Sequence, residues 1–156
     1  MHSNRLALGA TAVLNAIVLS AVMLHVPAHA QAEGALPAVQ KSGAVEYLTG
    51  GVGLDESTAI KSASGQWPLS LVFSVQADGR AQFASDVKLE IHDAKGVLAL
   101  DVTATGPYLL ARLAPGSYNL RATLAGMTLE RKVQVKKGAS ARVELVWPAG
   151  TNQSQS

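Results

Sequence analysis

The chain contains no cysteine among its 156 residues. Catalysis by a thiolate, zinc sites with thiolate ligands, iron–sulfur clusters and disulfide bonds are therefore excluded. A domain without disulfides must be stabilised by its apolar core, and the chain is long enough to bury one. Aromatic residues make up 4% of the sequence and charged residues 15%. Few side chains are thus available for stacking on a ligand or for acid–base chemistry.

Histidine is scarce, and His92 is the one histidine after residue 30. A Ser-His-Asp arrangement would have to use it, and its acidic partner would be Asp86, Glu90 or Asp93. The alternating pattern puts His92 on the polar face of a strand, where we expect a solvent-exposed histidine. Lys88 lies between Asp86 and Glu90 on the same face and opposes cation binding. We therefore expect a protein that is not an enzyme, with no catalytic, cofactor-binding or metal-binding residue.

The first thirty residues have the pattern of a secretory signal peptide. Arg5 supplies a positive charge, residues 6–24 form an apolar run, and Ala28-His29-Ala30 is a small-x-small cleavage site. The run approaches the roughly 20 residues that a membrane-spanning helix needs, so an uncleaved anchor is the alternative. Polar residues dilute the run, which favours cleavage after Ala30. The expected location is periplasmic or secreted, with no stable membrane insertion after cleavage.

Residues 31–66 are predicted to hold a flexible tether followed by two short elements. Residues 31–42 are rich in Ala, Gln, Pro and Gly and show no periodicity, which is typical of a linker. Residues 44–49 are predicted to form a short strand. Residues 54–63 are predicted to form a helix, because acidic residues lie in its first turn and a lysine in its last. Gly65 is the candidate C-cap of this helix.

The segment Gly50-Gly51-Val52-Gly53 precedes this helix and resembles a phosphate-binding loop in its glycine content. It lacks the Gly-Lys-Ser/Thr ending of such loops and does not follow a βαβ pattern. We interpret it as a tight bend between the short strand and the helix, which glycine permits.

From Pro68 onward, apolar residues recur at every second position, as in half-buried strands. Seven strands follow at intervals of roughly ten residues, and they begin near Leu69, Val87, Leu98, Tyr108, Tyr118, Met127 and Ala141. Pro115-Gly116 has the chemistry of a tight turn and predicts a hairpin of the fourth and fifth strands. The predicted fold class is all-β: a seven-stranded antiparallel sandwich, immunoglobulin-like or transthyretin-like, over residues 67–148. A disordered tail is expected over residues 149–156.

Five motifs follow one another in an order that resembles a known domain: Asp86–Ile91, Asp93–Gly96, Gly106-x-Tyr108-x-Leu110, Leu113-x-Pro115-Gly116-x-Tyr118-x-Leu120, and Val133-x-Val135 before Gly138. Over about residues 84–147 the chain resembles the carboxypeptidase-regulatory-like domain, and the segment Tyr47–Ile60, with Gly50-Gly51 and Asp55-Glu56, resembles that of bacterial exported proteins that carry only this domain. Two features differ from the usual pattern of this domain: the first strand lacks Gly-x-Val, and the turn Thr103–Gly106 before Tyr108 lacks an acidic residue. The resemblance implies a transthyretin-like (prealbumin-like) sandwich and a role without catalysis.

Charge is distributed unevenly along the chain. Residues 31–111 contain five Lys or Arg and nine Asp or Glu, whereas residues from Arg112 onward contain seven and two. Strands from the two halves that pair would bring opposite charges together; the alternative is a dipolar surface that binds an acidic partner. Nucleic acid is not an expected partner, because no aromatic residues alternate with the basic ones.

Two function classes fit these observations. The first is an exported, non-enzymatic interaction module of the bacterial cell envelope, which meets an envelope protein through a sheet edge or the loops at the strand ends. The alternative is a carbohydrate-binding module with a starch-binding-like sandwich, which needs exposed aromatic rings. Tyr108, Tyr118 and Trp147 are in phase with core leucines, so we expect them in the core, and we expect the hydroxyl of Tyr118, just after Pro-Gly, to bond to nearby backbone as in a tyrosine corner. Tyr47 and Trp67 are therefore the candidate contacts with a ligand or partner, and no cofactor is expected.

Overall fold

The computed structural model describes residues 35–151. The predicted signal peptide, the first part of the tether and residues 152–156 lie outside this range. The elements are β1 (Gln40–Ser42), β2 (Val45–Gly50), α1 (Leu54–Ala63), a 3-10 turn (Ser64–Gln66), β3 (Leu69–Ala77), β4 (Arg80–Phe83), β5 (Val87–Asp93), β6 (Leu98–Ala104), β7 (Tyr108–Ala111), β8 (Gly116–Leu124), β9 (Met127–Val135) and β10 (Ala141–Trp147). Within the described range, no helix has the length and apolar character needed to cross a bilayer.

The strands form two sheets. In the six-stranded sheet the order is β1-β2-β7-β3-β10, and β4 also pairs with β3; in the four-stranded sheet it is β6-β5-β8-β9. The all-β class is confirmed, and all seven strands expected after Pro68 are present. The wholly antiparallel arrangement is wrong, because β3 and β10 run parallel, with Leu69 opposite Ala141 and Val75 opposite Trp147. The strand count is also too low, because β1 and β4 were not expected.

The segment from Tyr108 to Leu124 is not the hairpin that its Pro-Gly pair predicts. Strand β7 pairs with β2 and β3 in the six-stranded sheet, whereas β8 pairs with β5 and β9 in the four-stranded sheet. Both edges of β7 are occupied, so β8 cannot pair with it, and residues 112–115 carry the chain between sheets. The hydroxyl of Tyr118 donates a hydrogen bond of 2.7 Å to the carbonyl of Ala114. This bond confirms the predicted link to nearby backbone, as in a tyrosine corner.

The main core lies between the two sheets and takes alternate residues from the strands of both. Phe73 and Trp147 contribute its largest rings, which are fully buried with centroids 6.3 Å apart. The indole Nε1 of Trp147 donates a hydrogen bond of 2.9 Å to the carbonyl of Met127 in the four-stranded sheet. The packing is therefore that of a β-sandwich.

A second, smaller core lies on the outer face of the six-stranded sheet, where α1 packs. It consists of Leu48, Ile60, Trp67, Val72, Tyr108 and Leu110. The helix has the predicted bounds, but its C-cap is Ser64 and a 3-10 turn follows, so Gly65 is not the cap. Strand β3 is buried on both faces, Ser70 and Ser74 included, and Val72 on its outer face packs with Ile60 of α1. The prediction of a half-buried strand, with one face exposed to solvent, is thus wrong for β3.

The ordered structure extends beyond both predicted ends of the sandwich. Residues 40–42, predicted as part of the tether, form β1 and pair with β2, so the six-stranded sheet begins upstream of the predicted boundary at residue 67. At the other end, Thr151 is buried and its hydroxyl donates a hydrogen bond of 2.6 Å to the carbonyl of Pro148. Residues 149–151 therefore form an ordered turn where a disordered tail was expected.

Candidate functional site

The outer face of the four-stranded sheet is polar and carries His92. In register across the strands, His92 lies opposite Asn119, which lies opposite Lys132. These side chains line a shallow depression of about 590 Å³ together with Arg121 and Glu130. Arg121 forms ion pairs with Glu130 at 3.1 Å and with Glu90 at 4.0 Å. The positive charge of Arg121 is therefore compensated by these two carboxylates.

The carboxylates considered as partners of His92 are engaged elsewhere. Asp93 Oδ1 accepts hydrogen bonds of 2.9 Å from the backbone N–H groups of Lys95 and Val97, which closes the turn after β5. Glu90 forms an ion pair with Lys88 at 3.5 Å. Asp86 accepts a hydrogen bond of 3.2 Å from the hydroxyl of Ser85. Over residues 35–151, no group of three or more His, Cys, Asp or Glu side chains is placed to hold a metal ion.

The glycine-rich bend before α1 is shaped by its neighbours. The backbone N–H of Gly51 donates to the carboxylate of Glu56 in the first turn of the helix. Gly51 has a φ of +93°, and a Cβ there would overlap the ring of Tyr108. The N–H that a phosphate would need is therefore already bonded, and the glycine is required by its φ and by the tyrosine.

The two predicted contact residues, Tyr47 and Trp67, are both buried, and they lie in different cores. The hydroxyl of Tyr47 donates a hydrogen bond of 3.0 Å to the side chain of Gln40. Trp67 is 4% exposed, and the guanidinium of Arg112 lies 4.2 Å from its ring centroid. Stacking on a sugar requires a free ring face, so the exposure expected of these aromatics is not observed.

The exposed aromatic ring is that of Phe83, which sequence reasoning missed. Phe83 is 58% exposed, and its ring centroid lies 5.4 Å from that of the buried Tyr108. On the outer face of the six-stranded sheet, Phe83 lies opposite Ser74, which lies opposite the half-exposed Val146. We call Phe83, Ser74 and Val146 the Phe83 patch. Phe83 and Val146 are the exposed apolar side chains of this patch, and Ser74 between them is buried.

A turn signal in the sequence could have revealed β4 and hence Phe83. Asp78-Gly79 is a preferred two-residue hairpin loop, and both residues have positive φ, +47° and +74°. The hairpin of β3 and β4 follows from this loop. The four residues of β4 are all exposed, however, so they lack the alternation by which the other strands were predicted.

The uneven charge distribution resolves in part into contacts between the two halves of the chain. Glu46 forms an ion pair with Arg112 at 3.4 Å, and Glu90 forms one with Arg121 at 4.0 Å. Both pairs support the interpretation that opposite charges of the two halves are neighbours in the fold. Each pair is solvent-accessible, so each contributes little to stability.

The pKa of Tyr118 is raised above its ordinary value near 10. Burial of the phenol is the larger cause, and the negative charge of Asp93 adds to it. Tyr118 is held in its neutral, hydrogen-bond-donating form, which fits a structural role.

Comparison with known proteins assigns no family to this arrangement. No protein-family model matches the sequence, and no curated protein matches it. The resemblance to the carboxypeptidase-regulatory-like domain therefore stays a prediction drawn from the residues.

Proposed function

We propose that the protein is an exported, non-enzymatic interaction module of the bacterial cell envelope, and that its partner is an envelope protein. The observation that carries this proposal is the Phe83 patch. Phe83 is 58% exposed and Val146 on the same sheet face is 40% exposed, and a partner that covered them would remove both apolar side chains from water.

The surroundings of the Phe83 patch fit a docking surface for a protein. On the same face of β10, Arg142 and Glu144 form an ion pair of 3.0 Å next to Val146. On the β10 side, the apolar side chains of the patch are thus bordered by a charged pair, as in interfaces whose apolar centre meets a polar rim. Phe83 is supported from below by Tyr108, so its ring loses little conformational freedom on binding.

We also propose that the sandwich is transthyretin-like. A transthyretin-like sandwich of the carboxypeptidase-regulatory-like type is consistent with two facing sheets and with the hydrogen bond of Tyr118 to Ala114. In that family the domain has no catalytic residues, and the dispersed carboxylates around His92 agree with such a role. The signal peptide with cleavage after Ala30 supplies the route to the envelope.

Affinity capture with matched variants tests the proposal. The immobilised protein is exposed to an envelope fraction beside Phe83→Ser and the control Leu98→Ser, which changes a residue 49% exposed on the other sheet. We expect one specific protein to be retained by the wild type and by Leu98→Ser, and to be lost with Phe83→Ser. Circular dichroism establishes that all three are folded. If no protein is retained specifically, or if Phe83→Ser retains it equally, the proposal fails.

A carbohydrate-binding module is the second candidate, and the same ring favours it. An exposed aromatic ring on a rigid support can stack on the apolar face of a sugar, and Phe83 meets this requirement where Tyr47 and Trp67 do not. Titration with a soluble neutral polysaccharide separates the two candidates. Binding that is lost in Phe83→Ala and retained in Leu98→Ala would favour the glycan over the protein partner.

A further inference from the structure

A second cleft lies at one end of the sandwich, where three connections meet. They are residues 65–68 before β3, residues 112–115 between β7 and β8, and residues 135–139 between β9 and β10. The cleft has a volume of about 380 Å³. We call it the end cleft. Of the two contact residues predicted from the sequence, Trp67 lines the end cleft and Tyr47 does not.

The end cleft is positively charged. Arg112, Lys136 and Lys137 line it, and none of its lining residues is Asp or Glu. Within residues 35–151, neither Lys136 nor Lys137 forms an ion pair. The depression around His92 differs, because Glu130 lines it together with the basic residues. A concave surface with charges of one sign concentrates oppositely charged ligands.

Arg112 is held in place before any ligand arrives. Its guanidinium stacks on Trp67 at 4.2 Å from the ring centroid, its Nε lies 3.4 Å from Glu46, and its backbone N–H donates to the Glu46 carbonyl at 2.9 Å. Glu46 also contacts Lys41 at 3.6 Å, so its charge is shared between two cations. A guanidinium has five N–H donors, which allows Arg112 to keep the Glu46 contact and still bind an anion. An arginine already fixed loses less entropy when it binds.

The lysine side of the cleft is attached to the same end of the six-stranded sheet. The Ser140 hydroxyl donates a hydrogen bond of 3.0 Å to the carbonyl of Ser64. The backbone N–H of Ala141 donates to the carbonyl of Pro68 at 2.9 Å. The turn that carries Lys136 and Lys137 is thus tied to the segment that carries Trp67. The width of the cleft is therefore set by the fold, while the lysine side chains extend into solvent.

We propose that the end cleft binds an oxyanion, the carboxylate or phosphate group of a small polar ligand, with Arg112 as the fixed donor and Lys136 and Lys137 as the mobile cations. Trp67 supports Arg112 and does not itself stack on the ligand. This site is distinct from the Phe83 patch and goes beyond the proposed docking of a protein.

Three matched probes test the chemistry: glucuronate, glucose 1-phosphate and glucose. The protein, purified after expression of the full chain, is titrated with each by calorimetry. We expect binding of one or both anionic sugars and none of glucose, with affinity falling as salt rises because surface charges are screened. Glucuronate and glucose 1-phosphate distinguish a carboxylate ligand from a phosphate ligand.

Variants locate the site. Arg112→Gln is expected to weaken binding about tenfold, the typical cost of losing a charge-assisted hydrogen bond. Lys137→Gln is expected to weaken it less, because its flexible side chain is less well positioned. Arg80→Gln is the control: it removes one positive charge from β4, opposite Ala77, about 25 Å along β3 from the cleft. Phe83→Ser leaves the end cleft unaltered and separates this proposal from the protein-docking one.

A fluorescence measurement gives a second readout that needs no substitution in the end cleft, and circular dichroism establishes that each variant is folded. The chain has two tryptophans, and Trp147 packs near Met127, away from the lining of the end cleft. In a Trp147→Phe background, emission from Trp67 should change on adding the anion and stay unchanged with glucose. The proposal is overturned if neither anion binds, if glucose binds equally, or if Arg112→Gln and Arg80→Gln bind alike.

Discussion

Gly106→Ala is the sharpest test of the structure, because the space that a Cβ would need at Gly106 is occupied by the backbone of Gly50. Gly106 is buried, and a Cβ added there would lie 2.5 Å from the carbonyl carbon and 2.8 Å from the Cα of Gly50, with the carbonyl oxygen closer still. All three atoms are backbone, so no side-chain rotation relieves the overlap. The end of β2 and the bend before β7 would have to separate.

Hydrogen bonds hold these two segments together and oppose that separation. The Thr49 hydroxyl donates to the carbonyl of Tyr108 at 2.9 Å and accepts from the backbone N–H of Thr105 at 3.2 Å. Overpacking of this kind costs about 1–3 kcal/mol, and a backbone neighbour puts Gly106→Ala near 3 kcal/mol. With a urea dependence of about 1.5 kcal/mol per molar for a domain of this size, the midpoint should fall by about 2 M.

Urea unfolding followed by tryptophan fluorescence measures this shift. Gly65→Ala is the control, because nothing lies within 4 Å of a Cβ at Gly65; its unfolding free energy should change by less than about 0.5 kcal/mol. If Gly106→Ala unfolds at the wild-type urea concentration, the close approach of β2 to residue 106 is refuted. If both variants shift equally, the effect is that of glycine replacement in general.

Three further predictions concern residues that maintain the sandwich. Tyr118→Phe should lower the free energy of unfolding by about 1 kcal/mol, because the hydroxyl no longer bonds to Ala114. The raised pKa of Tyr118 means that wild-type stability is complete below pH 10 and falls as the pH rises through the shifted pKa. Thermal melts in alkaline buffers should show a steeper fall for the wild type than for Tyr118→Phe; equal slopes would contradict the assignment. Asp93→Ala should cost about 1 kcal/mol through two lost hydrogen bonds, whereas Asp101→Ala, at an exposed site, should be nearly neutral in the same melts. Ile60→Ala should lower the free energy of unfolding by about 2–5 kcal/mol in urea, because the side chain of Ile60 is fully buried between α1 and the sheet. Leu54 is 79% exposed on the same helix, so Leu54→Ala should cost far less. An equal cost would contradict the packing of α1.

The aromatic residues show which side-chain environments local sequence patterns can predict. The sequence predicts that Tyr118 packs in the core and that its hydroxyl bonds to nearby backbone, and both are observed because the partner is only four residues away. It also selects Tyr47 and Trp67 as candidate contacts, but both rings are buried, and Arg112, distant in sequence, lies over the ring of Trp67. Phe83 escapes prediction because the four residues of β4 are all exposed and so show no alternation of apolar and polar side chains.

By itself, the sequence determined those features that depend on neighbouring residues: the bounds of α1, the strands with alternating apolar residues, and the all-β class. The period of apolar side chains and the residue types of turns are local properties, so they can be recognised without knowledge of any long-range contact. Only the tertiary structure decided which strands pair. It placed β7 and β8 in different sheets, made β3 and β10 parallel, and brought Arg112 beside Lys136 and Lys137 at one end of the sandwich. A strand offers the same hydrogen-bonding groups along both edges to any partner, so its choice of neighbour follows from the packing of the whole domain.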